Sequence, residues 1–138
     1  MNLPETLTRR LLPDAERADF VGAIFGLGFP LRVEPRMYGV ASRLSPDYDG
    51  GFWHFYALAN GGFYMAPDMD RTLGVVCANG FDGRLSADAF GITVCLYVYS
   101  HLSFGGDALA RICADQYHRL RDFALDHAEA GSILAATD

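Results

Sequence analysis

The chain has 138 residues, 51% of them hydrophobic, and this is enough for one ordinary domain with its own core. Its formal net charge is −6, and all eleven basic residues are arginines spread along the sequence. Strong binding to DNA phosphates is therefore not expected. Imitation of DNA is not expected either, because duplex DNA carries one charge per ~1.7 Å and a face of ~30 Å would need roughly 18 negative charges.

The three cysteines, Cys77, Cys95 and Cys113, lie far apart and form no CxxC pair. We expect free thiols packed in the core rather than disulfides or a zinc site. The most apolar stretch, 89–102, is shorter than the ~20 residues that span a bilayer, and no secretory signal opens the chain. The sequence therefore predicts a cytoplasmic protein without membrane contact.

The first third of the chain gives one clear helix. Residues 1–13 have no sustained period and are expected to form an irregular or extended lead. Apolar residues at helical spacing then predict a helix from Asp14 to about Phe25, with Asp14 as its N-cap. Residues 29–44 contain two prolines and fit neither template, so we expect a loop there with a short strand or helix around 37–41.

The segment 44–67 predicts a β-hairpin. Turn-forming residues fill 45–51, a strand with period-two alternation covers 52–58, and Asn60-Gly61 gives the signal of a tight turn before a return strand at 63–66. Alternation places one aromatic set on each side of the sheet: Phe52, His54 and Tyr56 on one face, Trp53, Phe55 and Ala57 on the other. Either the sheet is covered on both faces or one aromatic face is exposed and available for contacts. We favour two covered faces, because most large aromatic side chains are buried.

The second half predicts another hairpin and then helices. Strands at 71–77 and 81–85 continue the first hairpin as a four-stranded meander. The apolar run 89–102 is rich in β-forming residues, but its length favours a central buried helix, capped by Ser86 or Asp88. A final amphipathic helix starts after an N-cap at Asp107, and one closing turn covers 132–137.

These elements predict an α+β fold in a single domain, 1–138. It would contain a small antiparallel sheet of about four strands in two hairpins, packed with three to four helices, one of them central and buried.

The sequence offers little for catalysis. None of the four histidines shows a metal-binding or catalytic spacing, and nucleophile-elbow and phosphate-loop motifs are missing. We therefore expect no catalytic residue, metal, cofactor or small-molecule ligand. The candidates for binding a partner lie on the first hairpin, where aromatic side chains with a polar group are typical of interface hot spots: Asp47, Tyr48, Trp53, Asn60 and Tyr64.

Two other classes stay open at this point. A small hydrolase would use His54 with Asp47 or Asp49, and it requires a cleft in which the histidine reaches a carboxylate. A nucleic-acid-binding module would require a contiguous face of arginines despite the acidic net charge.

Several blocks of the sequence, in this order, resemble the ArdB/KlcA antirestriction proteins. They are LSPDYDGGFWHFY at 44–56, NGGFYMAP at 60–67, NGFDGRLSADAFGI at 79–92, YHRLRDFA at 117–124 and GSILAA at 131–136. The resemblance runs from about Asp14 to the end of the chain.

This resemblance implies a small α+β protein of plasmids and other mobile elements. Such a protein protects incoming DNA against type I restriction-modification enzymes inside the cell. It implies an inhibitor rather than an enzyme, with no catalytic residue, metal or cofactor to assign. The partner would be the type I restriction enzyme or a host factor that acts on it, and inhibition would use protein contacts rather than DNA mimicry.

Overall fold

The computed structural model describes residues 6–138. In chain order its elements are β1 (Arg9–Leu11), α1 (Asp14–Phe25), a π-helical turn (Phe29–Val33), α2 (Glu34–Leu44), β2 (Trp53–Leu58), β3 (Phe63–Pro67), β4 (Leu73–Val76), β5 (Asp82–Leu85), α3 (Ala87–Ser103), α4 (Ala108–Ala124) and α5 (Ala130–Thr137). The α+β class is confirmed. None of the described helices combines the length and the apolarity needed to cross a membrane.

The capping residues explain where the helices start. Ser86 caps the buried helix α3, because its hydroxyl accepts a hydrogen bond from the backbone N–H three residues on at 3.1 Å. Asp107 caps α4 in the same way at 2.9 Å. The cap predicted for α1 was wrong, since the N-cap residue is Pro13 and no side chain caps this end. Asp14 instead lies with its Oδ1 3.4 Å from Arg17 Nε.

The loop predicted for 29–44 was wrong, because the segment is helical throughout, although the short helix offered as one alternative at 37–41 does lie within α2. Pro30 lies in the first turn of the π-helical turn and Pro35 in the first turn of α2. A proline is tolerated at that position, since the first backbone N–H groups of a helix have no intrahelical acceptor. Pro30 therefore lies at the start of the helical segment, and Pro35 lies where the π-helical turn passes into α2.

The strands form two sheets instead of one four-stranded meander. The first sheet has the order β1-β2-β3, and all its pairs are antiparallel, with Leu11 opposite Tyr56 and Tyr56 opposite Tyr64. The second sheet is the β4-β5 hairpin. Residues 9–11 of the predicted irregular or extended lead are extended and form an edge strand. Residues 1–5 of that lead lie outside the described residues.

Helix α3 explains why β4 does not continue the first sheet. The Tyr99 hydroxyl donates to the carbonyl oxygen of Phe63 at 2.7 Å, and the backbone N–H of Met65 donates to Cys95 Sγ at 3.5 Å. These bonds satisfy backbone groups of β3 on the side that another strand would need. Gly91 of α3 lies directly against the backbone of this strand.

The core extends from Leu12 to Ala136 and contains the three cysteines, which are free and buried as expected. Phe63 lies at its centre and contacts the rings of four other phenylalanines: Phe20, Phe25, Phe29 and Phe55. The expectation that both faces of the hairpin are covered was wrong. Trp53 and Phe55 are buried, but Phe52 on the other face is 50% exposed.

Candidate functional site

The first hairpin brings two of the predicted partner-binding residues together. Trp53 is 3% exposed, and its indole N–H donates to the Tyr48 hydroxyl at 3.0 Å, while the two rings meet edge to face. Buried indole N–H groups need such an acceptor. The pair fixes the loop before β2 against the strand, and the half-buried Tyr48 is the member at the surface.

Asp47 connects the same loop to the second sheet. Its Oδ2 accepts a hydrogen bond from the backbone N–H of Gly74 at 2.7 Å and lies 3.8 Å from a guanidinium nitrogen of Arg84. Its own carbonyl oxygen accepts from Arg71 at 3.0 Å. The carboxylate therefore joins the loop to the β4-β5 hairpin, two units with no strand pairing between them.

Asn60 connects the tight turn of the hairpin to α4. Its amide nitrogen donates to the carbonyl oxygen of Arg119 at 2.9 Å, and its Oδ1 accepts from the N–H of Gly62 at 3.0 Å. The Arg119 guanidinium donates back to the carbonyl oxygen of Asn60. Gly61 has a φ of +86°, as the Asn-Gly turn requires.

Tyr64 is fully buried and reaches a polar network that the sequence did not predict. Its hydroxyl donates to Asp88 Oδ1 at 2.7 Å and accepts from Arg9 at 2.5 Å. The same Arg9 nitrogen lies 2.5 Å from Asp88 Oδ1. On the other side, His127 Nε2 lies 2.8 Å from Asp88 Oδ2. Asp88 thus joins β1, β3, the start of α3 and the segment before α5.

The hydrogen bonds of His127 and Glu129 extend this network. The backbone N–H of Glu129 donates to His127 Nδ1 at 2.9 Å, so the imidazole proton lies on Nε2 and points to Asp88. The Glu129 carboxylate accepts from both the backbone N–H and the hydroxyl of Ser86. The two ends of the network therefore meet at the N-terminus of α3.

The pKa shifts agree with a structural network. Burial raises the pKa of Tyr64, and the negative charge of Asp88 adds to this effect, so the hydroxyl keeps its proton. Burial would also raise the pKa of Asp88, but hydrogen bonds from His127 and Tyr64 and the charge of Arg9 outweigh it and hold that pKa below the usual value. Every polar atom named here is already used inside the fold. The network can hold four elements together, and it leaves no free base.

The hydrolase geometry predicted around His54 is not formed. Its Nε2 lies 3.1 Å from Asp68 Oδ1, so it pairs with neither Asp47 nor Asp49. The ring contacts Phe52 and Tyr56 on the half-exposed face of the hairpin. Among residues 6–138 no three His, Cys, Asp or Glu side chains are placed to hold a metal ion.

The five residues predicted to bind a partner thus lie at different joints of the fold. Tyr48 contacts Trp53 and directly follows Asp47 in the same loop. Asp47, Asn60 and Tyr64 each bond to a different element, and their role toward a partner stays a prediction. The network around Asp88 was missed because the three side-chain partners of Asp88 lie 24 to 79 residues from it in sequence, and the sequence indicated Asp88 only as a possible helix cap.

Comparison with known proteins decides the family. Residues 46–138 match the family model described as "Antirestriction protein". The chain belongs to the antirestriction protein family. The matched region begins just before Asp47 and includes β2 to α5, so the hairpin, the Asp88 carboxylate and the segment before α5 all lie within it.

Curated relatives extend the match over the whole chain. The antirestriction protein KlcA of Escherichia coli is 43% identical over 143 aligned positions, covering 100% of this chain and 98% of the relative. The putative antirestriction protein YubI of E. coli K12 is 37% identical, and the alignment covers 91% of this chain and 92% of YubI.

A solved structure supports the fold of this antirestriction family member. It is 41% identical, covers 100% of both chains and superposes with a TM-score of 0.90. It comes from work on the KlcA and ArdB proteins, which are described as having a novel fold and antirestriction activity against type I DNA restriction systems in vivo but not in vitro.

Proposed function

We propose that this protein protects incoming DNA of a mobile element from type I restriction-modification enzymes in the cytoplasm. We propose further that it acts through contacts with protein, either the restriction enzyme or a host factor that acts on it. The observation that carries the first part is the full-length similarity to KlcA and ArdB, at 41% identity and a TM-score of 0.90, together with the activity described for those proteins.

Two observations support protein contacts rather than DNA mimicry or DNA binding. A net charge of −6 is about a third of the roughly 18 charges that a ~30 Å mimic of duplex DNA would present. Several arginines, in turn, already form ion pairs within the chain. Arg9, Arg32 and Arg119 each have a guanidinium nitrogen within 2.7 Å of an aspartate oxygen of the same chain, which reduces their availability for phosphates.

A host factor would also account for an activity seen in vivo but not in vitro, as described for KlcA and ArdB. A purified inhibitor that binds the enzyme directly should work with purified components. One that needs a further cellular protein should fail in that assay and recover when the missing protein is supplied.

The test is plasmid transformation into a strain that carries a type I system, with and without this gene. Unmodified plasmid should be recovered at least ten times more often when the protein is expressed. Premethylated plasmid, and a strain without the restriction system, should show no difference. If unmodified plasmid is restricted equally with and without the protein, the proposal fails.

A second assay separates the two kinds of partner. Purified type I enzyme, ATP and unmodified circular DNA are incubated with the purified protein, alone or with an extract of restriction-deficient cells. Inhibition without extract indicates the enzyme itself as the partner. Inhibition that appears only with extract indicates a host factor.

A further inference from the structure

A groove of about 630 Å³ opens between α1, the π-helical turn and β2. Its lining is mostly apolar or glycine: Ala18, Val21, Gly22, Gly26, Leu27, Phe29, Pro30 and Phe55. Two charged side chains, Arg17 and Glu34, complete the wall. A groove of this size and character is typical of binding sites, in which a few polar groups orient an apolar ligand.

Three large apolar side chains are strongly exposed, and one of them, Leu27, lines the groove. Leu27, Leu31 and Phe104 are 77%, 71% and 85% exposed, the highest values among the exposed large hydrophobic residues of the described chain. Leu27 and Leu31 lie one helical turn apart, since the N–H of Leu31 donates to the carbonyl oxygen of Leu27 at 3.2 Å. The same segment approaches the start of α4, the helix that follows Phe104, because Gly28 lies against Leu109. Arg32, the residue after Leu31, pairs with Asp107 at 2.6 Å, and Asp107 lies three residues after Phe104 in sequence. We call the groove and these three side chains the Leu27 face.

Arg17 gives this face a charge preference. Its guanidinium carbon lies 4.5 Å from the ring centroids of both Phe52 and Phe55, and its side chain is only 18% exposed. Its Nε is buried without a hydrogen bond in the described chain, although Asp14 Oδ1 lies 3.4 Å away. Its two terminal nitrogens have no hydrogen bond or ion pair to any residue of 6–138. A largely buried cation with unused donors fits a carboxylate ligand.

We propose that the Leu27 face binds an amphipathic helix of a partner protein. The apolar side chains of that helix fill the groove and cover the three exposed side chains, and an acidic side chain of the helix pairs with the Arg17 guanidinium. This inference rests on the proposed function, since the partner is the restriction enzyme or host factor of that proposal.

The shape of the face favours a helix over other ligands. A small molecule that filled the groove would leave Leu31 and Phe104 exposed, and large exposed apolar patches mark protein contacts. The face is made of helix sides and offers no row of unpaired backbone groups, so an extended peptide cannot bind there by pairing with a strand edge. A helix satisfies its own backbone and brings apolar anchors at i, i+3 and i+4 spacing.

The test uses variants that leave the fold intact. The double variant Leu27→Ser/Leu31→Ser changes two exposed side chains, and its melting temperature should match the wild type. Protection of unmodified plasmid should fall at least tenfold. Val76→Ser is the matched control, because Val76 is also exposed, at 58%, but lies on β4. Its protection should be unchanged. Arg17→Gln should lose protection and Arg17→Lys should keep most of it, at melting temperatures that match each other.

Photo-crosslinking identifies the occupant. Benzoylphenylalanine at position 31, in cells that carry the type I system, should give a crosslink that maps to an acidic amphipathic helix of another protein, whereas the same group at position 76 should not. The inference is overturned if the double serine variant protects like the wild type. It is also overturned if position 31 crosslinks to a second copy of this chain, or if the mapped peptide is not helical and acidic. Failure of the wild type itself to protect would contradict the proposed function instead.

Discussion

Adding one methyl group at Gly91 is expected to destabilise this protein strongly. A Cβ at Gly91 would lie 2.5 Å from Ala66 Cα and closer still to Ala66 Cβ and the Met65 carbonyl oxygen. Two of these three atoms belong to the backbone of β3, so no side-chain rotation relieves the contact. The helix and the strand must separate or shift instead.

The expected loss follows from two opposing effects. Overpacking a tight core costs ~1–3 kcal/mol, and the upper part of that range applies when backbone must move. Replacing glycine by alanine inside a helix stabilises the helix by up to ~1 kcal/mol. The net loss for Gly91→Ala is therefore about 2 kcal/mol, which lowers the melting temperature by roughly 8 °C at ~4 °C per kcal/mol for a chain of this size.

Gly39→Ala is the matched control, because Gly39 lies inside α2 with nothing within 4 Å of its added Cβ. This variant should gain up to ~1 kcal/mol from helix propensity alone. Thermal and urea unfolding followed by circular dichroism measures both variants. The double variant Gly91→Ala/Ala66→Gly should stay destabilised, since the backbone contacts persist. A Gly91→Ala protein as stable as the wild type would refute the close packing of α3 on β3.

Three further predictions concern the remaining joints of the fold. The pKa of Asp88 is lowered on folding, so its contribution to stability is present above the ordinary pKa of about 3.9 and is lost as the pH falls through the lower folded value. Asp88→Asn should lower the free energy of unfolding by roughly 1–3 kcal/mol at pH 7. Urea unfolding should show this difference from the wild type becoming smaller below about pH 4, and a difference that does not change with pH would contradict the prediction. The Asn79 amide donates to carbonyl oxygens at the end of α5, the nearest at 2.6 Å, so Asn79→Ala should lose about 1 kcal/mol and speed hydrogen exchange in α5. Burial raises the pKa of Cys95 to about 12 and that of Cys113 to about 11, so a thiol reagent at pH 8 should label these two far more slowly in the folded than in the urea-unfolded protein, and equal rates would contradict the buried placement.

Local signals in the sequence predicted several elements correctly. The hairpin follows from Asn60-Gly61, because this dipeptide fixes the turn without help from the rest of the chain. Helices α1 and α4 follow from apolar spacing, and α3 follows from the length of its apolar run. The prediction for residues 29–44 was wrong because proline usually breaks a helix, whereas the first turn of a helix accepts it.

Long-range features could not be predicted in the same way. The division into two sheets depends on Tyr99 and Cys95 reaching the edge of β3 from α3, and no local pattern contains that information. The network around Asp88 likewise depends on where four separate elements meet. A carboxylate at a helix start is a reasonable cap candidate from sequence, and only the tertiary structure shows the three partners of Asp88.

The aromatic hairpin also limits how the binding surfaces can be tested. Phe55 is buried and forms part of the groove wall beside Arg17, so the hairpin supports the Leu27 face from within. A large substitution at Trp53 or Tyr64 removes core packing as well as any contact with a partner, and its effect on protection would reflect unfolding. A binding role requires that protection falls while stability does not. Leu31 can satisfy this criterion because it is exposed. Tyr48→Phe cannot, because it removes the acceptor of the buried Trp53 indole N–H and so lowers stability as well.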